Sequence, residues 1–471
     1  MAEIIELPLW LVAVTVGLAA WAVADRLLLP SVRWFLRRRV NRVLNEINTR
    51  LDLKIQSFKL TKRRVLIDRL IFDVEVMRAV EEESAQTGTP REVLMDRVSR
   101  YAREIVPAFN AYLYFRFGAW AARKLAEWLY RVRLGYADEK GLSEIGPDAS
   151  VIFVMNHRSN MDYVLVAYLA ATRTALSYAV GEWARIWPLQ ALIRSLGAYF
   201  IRRNSGDPLY RRVLERYVAM ATAGGVVQAV YPEGGLSKDG KLRPPRLGLL
   251  NYMIKALDGD MSGDIVFVPV GINYDRVLED RSLVRALSDD APRRSMRYAL
   301  KTTFGFIGHN FSLMLRGKWY RFGYASVNFG TPVSTRAWLR DNRAPDANAD
   351  GGTGGHREQV ELLGRHLMQE VGRVVPVLPV SLIAYVFVRD PSAGWSELDL
   401  KVAAHGLMTE LEGRGVHVYV PREDRDYALA VGIRMLSLRK LVLEIDGVYR
   451  IAEDELAMIE YYANAIAHHF E

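Results

Sequence analysis

The sequence predicts an α/β protein: a largely parallel sheet flanked by helices, with an N-terminal membrane helix, a helical N-terminal region and a mostly helical C-terminal extension. Three observations carry that reading. An uncharged apolar run opens the chain, short continuous apolar runs of the kind found in buried strands recur from residue 151 onward, and amphipathic helical stretches separate those runs.

From Leu7 to Ala24 no residue is charged, and the run includes Trp10, Leu11, Val14, Leu18 and Trp21. As a helix it reaches about 27 Å, enough for a hydrocarbon core. Glu3 and Glu6 precede it, while Arg26, Arg33, Arg37, Arg38, Arg39 and Arg42 follow. That asymmetry predicts an outside N-terminus and a cytoplasmic remainder. A signal peptide would place its positive charge before the apolar run. A buried soluble helix is the alternative, and residues 30–43, mixing Trp34, Phe35 and Leu36 with arginines, have the composition of an interfacial helix.

Residues 55–72 intersperse apolar and basic residues without a clear period. Thr89 and Pro90 suit an N-cap and first helical position, and Val93, Leu94, Val98, Tyr101, Ala102 and Ile105 follow at helical spacing. A second, aromatic-rich helical run spans 109–132. Strands are expected at 151–155, 198–201, 226–231 and 265–270, with helices at 162–171, 207–222 and 247–258. Residues 341–355, rich in Asp, Asn, Ala and Gly, read as a flexible loop. Beyond it the pattern is helical, with one strand-like run at 416–420. The expected division is 1–45 (membrane anchor with basic flank), 46–140 (helical region), 141–335 (α/β domain), 336–358 (flexible loop) and 359–471 (mostly helical).

Half of the 471 residues are hydrophobic and a quarter charged, which supports a sizeable core and excludes global disorder. The absence of cysteine excludes disulfides, thiolate catalysis and Cys-ligated metals. The histidines show no metal-ligand spacing, so no metal is expected. Net charge is +9, and the basic residues gather beside the apolar segment and near the glycine-rich loop described next. That distribution, without a nucleic-acid reader motif, points to membrane lipids and an anionic substrate rather than nucleic acid.

Four clusters can carry chemistry. His157 follows a buried-strand pattern in Asn156-His157-Arg158-Ser159-Asn160-Met161-Asp162, and Asp162 at the start of the next helix can fold back onto the imidazole. A carboxylate-held imidazole takes a proton from a substrate hydroxyl at neutral pH. Two residues alone also fit a capping arrangement. Arg202 and Arg203 follow the run Phe200-Ile201 and can fork a phosphate, or simply end a strand in solvent. Tyr231-Pro232-Glu233-Gly234-Gly235-Leu236-Ser237-Lys238-Asp239-Gly240 exposes backbone N–H groups suited to an anion, with Arg243 and Arg246 nearby. Val268-Pro269-Val270-Gly271-Ile272-Asn273-Tyr274 is a buried strand whose proline would be misplaced in a central ladder.

In that order the four clusters resemble the four motif blocks of the glycerolipid acyltransferases, and most nearly those of the PlsB-type sn-glycerol-3-phosphate acyltransferases. Residues 76–116 and the helix pattern Tyr461-Tyr462-Ala463-Asn464-Ala465-Ile466-Ala467-His468 extend the resemblance. It is dense only between about 150 and 275. The resemblance implies transfer of an acyl chain from acyl-CoA or acyl-carrier protein, as co-substrate rather than cofactor, to a phosphorylated glycerol hydroxyl in phospholipid biosynthesis. His157 would be the general base and Asp162 its orienter. Arg202 or Arg203 would hold the acceptor phosphate, Glu233, Gly234, Gly235 and Lys238 would serve acceptor binding, and Pro269 would shape the donor site. The bacterial inner membrane, with the catalytic domain on its cytoplasmic side, is the implied location. One position departs: the third block usually runs Glu-Gly-x-Arg-Ser-Arg, and Leu236 stands where its first arginine would hold the phosphate. Either Lys238, Arg243 or Arg246 substitutes, or the acceptor is lysophosphatidate, dihydroxyacetone phosphate or another lipid-like alcohol. A catalytically silent lipid-binding protein is the remaining alternative.

Overall fold

The computed structural model describes residues 57–471 apart from 112, 171–175, 182–188, 203–204, 259–260, 262, 288–320 and 343–352. The expected membrane segment at 7–24 lies outside the described residues, as does Arg203. Among the described residues no helix is long and apolar enough to cross a membrane. All of them fall in one unit spanning 55–471.

A mixed sheet forms the middle layer. Its strands are β1 (Arg131–Ala137), β2 (Ser150–Met155), β3 (Ser177–Val180), β4 (Tyr199–Phe200), β5 (Gln228–Val230), β6 (Ile265–Tyr274), β7 (Tyr324–Phe329) and β8 (Val333–Ser334). They run in the order β1-β7-β6-β2-β5-β3-β4, with β8 beside β6. Neighbours are parallel except that β7 and β8 both run antiparallel to β6.

The side chains of β2 and β6 alternate between two cores, as a strand's period of two requires. Ile152, Val154, Ile265 and Phe267 face one core, built with the helices α1 (Arg63–Ile71), α2 (Val74–Thr87), α3 (Arg91–Ile105), α6 (Pro208–Ala223), α7 (Gly248–Ile254) and α9 (Thr353–Arg373). Phe153, Met155, Val268, Val270, Ile272 and Tyr274 face the other. That second core draws on α4 (Ala119–Leu129), α5 (Met161–Ala170), α10 (Pro379–Arg389), α11 (Glu397–Gly413), α12 (Arg425–Leu438) and α13 (Leu456–Ala467). The short helix α8 (Asp280–Arg285) follows β6. A small antiparallel sheet, β9 (Trp395–Ser396), β10 (Val442–Ile445) and β11 (Val448–Ile451), lies within the C-terminal region.

Several sequence expectations need correction. The region read as helical up to residue 140 contains β1, an edge strand whose Arg131 and Arg133 alternate with Val132 and Leu134. Its arginines hid the strand, yet charged residues are what protect an exposed edge. Pro90, not Thr89, occupies the N-cap of α3. The expected flexible loop begins and ends in helix, since Thr335–Asp341 is helical and α9 starts at Thr353. The strand-like run at 416–420 makes only an isolated bridge from Val418 to Val377.

Pro269 sits inside the central strand β6 after all. Its carbonyl accepts the Gly330 N–H, so its missing N–H faces the same side. That side is where β6 changes partner, from β8 at Val266–Phe267 to β7 from Val270 onward, and the ladder there has no bond for the proline to break.

Candidate active site

Three of the four sequence blocks follow parallel strands at their carboxyl ends: residues 156–162 after β2, Arg202 after β4, and residues 231–240 after β5. Open α/β sheets place ligand sites at such edges.

Asn156 starts the arrangement. Its side-chain amide donates to the Ile272 carbonyl at 2.9 Å and accepts from the Ile272 N–H at 2.8 Å, so the end of β2 is pinned to β6. His157 comes next, buried, with Nδ1 2.9 Å from Asp162 Oδ2. The same oxygen accepts the N–H groups of Arg158 at 2.8 Å and Ser159 at 3.1 Å. Asp162 Oδ1 accepts the Tyr274 hydroxyl at 2.5 Å. A carboxylate holding four donors has no freedom to rotate. Burial and the Asp162 charge together push the Tyr274 hydroxyl far above its ordinary pKa, so it stays a donor.

With the carboxylate accepting, Nδ1 carries the ring proton and Nε2 carries the lone pair. Nε2 makes no hydrogen bond among the described residues, and His157 lines a cleft of about 370 Å³. The ring stacks on Tyr231 at 4.1 Å and meets Tyr163 edge-on at 5.5 Å.

The loop is braced from two further sides. Glu279 accepts from the Ser159 hydroxyl at 2.7 Å and from the Asn160 side-chain amide at 3.0 Å; burial raises its pKa, and these hydrogen bonds oppose the rise. Glu233 Oε1 accepts the His157 N–H at 3.0 Å, and the His157 carbonyl accepts the Ser237 N–H at 2.9 Å. Burial pushes the Glu233 carboxyl up to about 7, against the pull of the His157 N–H and the charges of Arg158 and Arg243.

The remaining expected site residues divide. Gly234 lines the cleft with φ +73°, where an L side chain would be strained, and a Cβ there would lie 2.5 Å from Arg246 Cδ. Gly235 adjoins it but is not among the cleft-lining residues. Arg202 lines the cleft, yet its guanidinium is already forked onto Glu104 at 3.0 and 2.7 Å and lies over the rings of Tyr101 and Tyr210. That pairing raises its pKa further. Lys238 turns outward and donates to the Ala286 carbonyl at 3.2 Å, away from the cleft. Pro269 does not line the cleft and pairs with Val154 of β2 within the sheet.

Sequence reasoning missed Asn156, Tyr274 and Glu279 as site residues. Asn156 had a signal, a polar amide ending an apolar strand directly before the histidine. Glu279 had none, since its partners lie 119 and 120 residues away.

An imidazole with one nitrogen fixed by a buried carboxylate and the other available at a cleft is a site for deprotonating a hydroxyl, the class to which acyl-transfer enzymes with a histidine base belong. Residues 138–273 match the family model described as Acyltransferase, and residues 310–471 match that of the glycerol-3-phosphate acyltransferase C-terminal region. The chain is thus similar to an acyltransferase model in its middle and to a glycerol-3-phosphate acyltransferase model in its C-terminal part, in line with the resemblance read from the four blocks.

Similar proteins include the glycerol-3-phosphate acyltransferase of Pseudomonas savastanoi pv. phaseolicola, 26% identical over 87% of this chain and 48% of its own length. That of Xylella fastidiosa strain M23 is 26% identical over 92% of this chain and 50% of its own. The chain spans about half the length of the curated relatives it matches. The solved structure of the 1-acyl-sn-glycerophosphate (LPA) acyltransferase PlsC from Thermotoga maritima covers 66% of this chain and 97% of its own at 16% identity, with a TM-score of 0.30, an overlap too loose to bear on the fold.

Proposed function

We propose that this protein transfers a fatty acyl chain from a thioester donor, acyl-CoA or acyl-carrier protein, to a hydroxyl of glycerol-3-phosphate. The observation that carries the reading is the 2.9 Å contact between His157 and Asp162, inside the matched acyltransferase region and beside the cleft. His157 Nε2 takes the proton of the acceptor hydroxyl as its oxygen attacks the thioester carbonyl. Asp162 stabilises the imidazolium that forms. The tetrahedral oxyanion collapses, the carbon–sulfur bond breaks, and the imidazolium returns its proton to the departing thiolate. The products are an ester and a free thiol.

The run Leu7–Ala24 and its basic flank favour attachment to a membrane, with the catalytic unit on the cytoplasmic face, where a nascent acylated product would partition. A second reading, acylation of lysophosphatidate or dihydroxyacetone phosphate, is favoured by one observation: Leu236 stands where the related block carries an arginine.

The test is an acceptor panel on purified membranes: glycerol-3-phosphate, lysophosphatidate and dihydroxyacetone phosphate, each with acyl-CoA and acyl-carrier protein, for wild type and His157→Ala. Transfer to glycerol-3-phosphate, abolished in the variant, is expected. Acylation of lysophosphatidate but not glycerol-3-phosphate selects the second reading. Undiminished transfer by the variant overturns both.

A further inference from the structure

Leu236 removes a cation from the third block, and Arg202 is tied to Glu104, so neither of these two positions supplies a free charge. The cleft itself answers the deficit. Its described wall holds three arginines, Arg202, Arg211 and Arg246, and no carboxylate. With Arg202 neutralised by Glu104, the wall retains two uncompensated positive charges. Neither Arg211 nor Arg246 makes an ion pair or a side-chain hydrogen bond among the described residues, and both are exposed.

Each is nonetheless placed by its surroundings. Arg246 N–H donates to the Pro232 carbonyl at 2.7 Å, and its stem crosses Gly234 in the space that a side chain there would fill. Arg211 lies in the first turns of α6, beside Tyr210, whose hydroxyl accepts the Arg202 N–H at 2.9 Å. The helix is capped by Asp207, which accepts the Tyr210 N–H at 3.1 Å. The two guanidinium groups thus come from different elements, one from the loop after β5 and one from the helix after β4, onto the cleft that His157 lines.

From this charge balance we infer that Arg211 and Arg246 form the subsite for a phosphate monoester, replacing the arginine that Leu236 displaces. A phosphate monoester carries close to two negative charges at pH 7, and two unpaired guanidinium groups match it in charge and in forked geometry. Of the three substitutes that the sequence offered, Lys238, Arg243 and Arg246, only Arg246 reaches the cleft wall, and Arg211 was not among them. The assignment rests on the cleft being the acceptor site, and it makes glycerol-3-phosphate compatible with Leu236. The same chemistry is present on the 3′-phosphate of a CoA donor, so the experiment must separate the two.

Arg211→Gln, Arg246→Gln and the double variant are compared with wild type for KM toward glycerol-3-phosphate and toward acyl-CoA. Arg365→Gln, an exposed arginine paired with Glu361 and not part of the cleft wall, controls for loss of charge. Calorimetric titration with glycerol-3-phosphate reads binding without turnover. Each single variant is expected to raise KM for glycerol-3-phosphate about ten- to a hundredfold, with kcat at saturation and KM for acyl-CoA held within about twofold. An unchanged KM for glycerol-3-phosphate overturns the subsite, and so does an increase confined to acyl-CoA. If wild type binds glycerol-3-phosphate, loses that binding in the double variant and never acylates it, the subsite stands and the proposed reaction falls.

Discussion

Replacing Asp162 with asparagine removes a charge while preserving nearly every contact of the frame. The asparagine oxygen can still accept from His157 Nδ1 and from the N–H groups of Arg158 and Ser159, and its amide can donate to a reoriented Tyr274 hydroxyl. What disappears is the interaction between carboxylate and developing imidazolium. The heavy atoms are 2.9 Å apart, which puts the charge centres at about 4 Å, and at an effective dielectric near 20 that interaction is worth about 4 kcal/mol. Asp162 already shares its charge with two backbone N–H groups and a tyrosine, so the usable part is smaller. A kcat loss of about a hundred- to a thousandfold follows, with KM for the acceptor little changed. The assay is release of free thiol from acyl-CoA in the presence of glycerol-3-phosphate, alongside thermal unfolding to confirm the fold. A variant that stays folded and keeps kcat within about threefold would refute the role given to the carboxylate.

Two further outcomes bear on stability. Glu233 has its pKa raised to about 7 by burial, so between about pH 4.5 and 7 the folded chain holds a proton that the unfolded chain has released. Stability therefore falls as pH rises through that window, by about 3 kcal/mol for this group. Glu233→Gln keeps an acceptor for the His157 N–H, so urea midpoints measured from pH 4.5 to 8 should show a shallower decline than wild type; equal slopes would remove Glu233 as the cause. In the C-terminal region, the half-buried Arg439 donates to the buried Asp280 at 2.5 Å and to the hydroxyl of the buried Tyr462 at 2.7 Å. Arg439→Met should cost about 3–5 kcal/mol by stranding Asp280, and adding Asp280→Asn should recover part of it; a double-mutant cycle in denaturant showing simple additivity would contradict that coupling.

What the sequence revealed follows from how far apart the interacting residues lie. The His157–Asp162 pair was legible because both members fall in one short loop after an apolar strand. The β2, β5 and β6 strands were legible because burial on both faces leaves continuous apolar runs. That the fork of Arg202 is occupied was not legible, because Glu104, which holds it, lies 98 residues earlier on α3. Strand β1 was read as helix because its arginines face solvent at a sheet edge, where no apolar run marks the strand. Tyr274 looked like core, and it is, but its hydroxyl also ends on Asp162, a link that only the folding of β6 beside β2 creates.

The two hydrogen bonds that join the His157 main chain to the Glu233 carboxyl group and the Ser237 N–H have a consequence for how such a protein can change. Leu236 sits between those two anchor points, and neither bond uses its side chain. An exchange at residue 236 therefore leaves the base aligned while altering what the neighbouring surface can grip. The hold on the His157 ring rests on Asp162, Glu233 and main-chain groups, and the side chain at residue 236 takes no part in it. Cations can migrate from one segment to another around such a cleft without any stage at which the proton acceptor is lost.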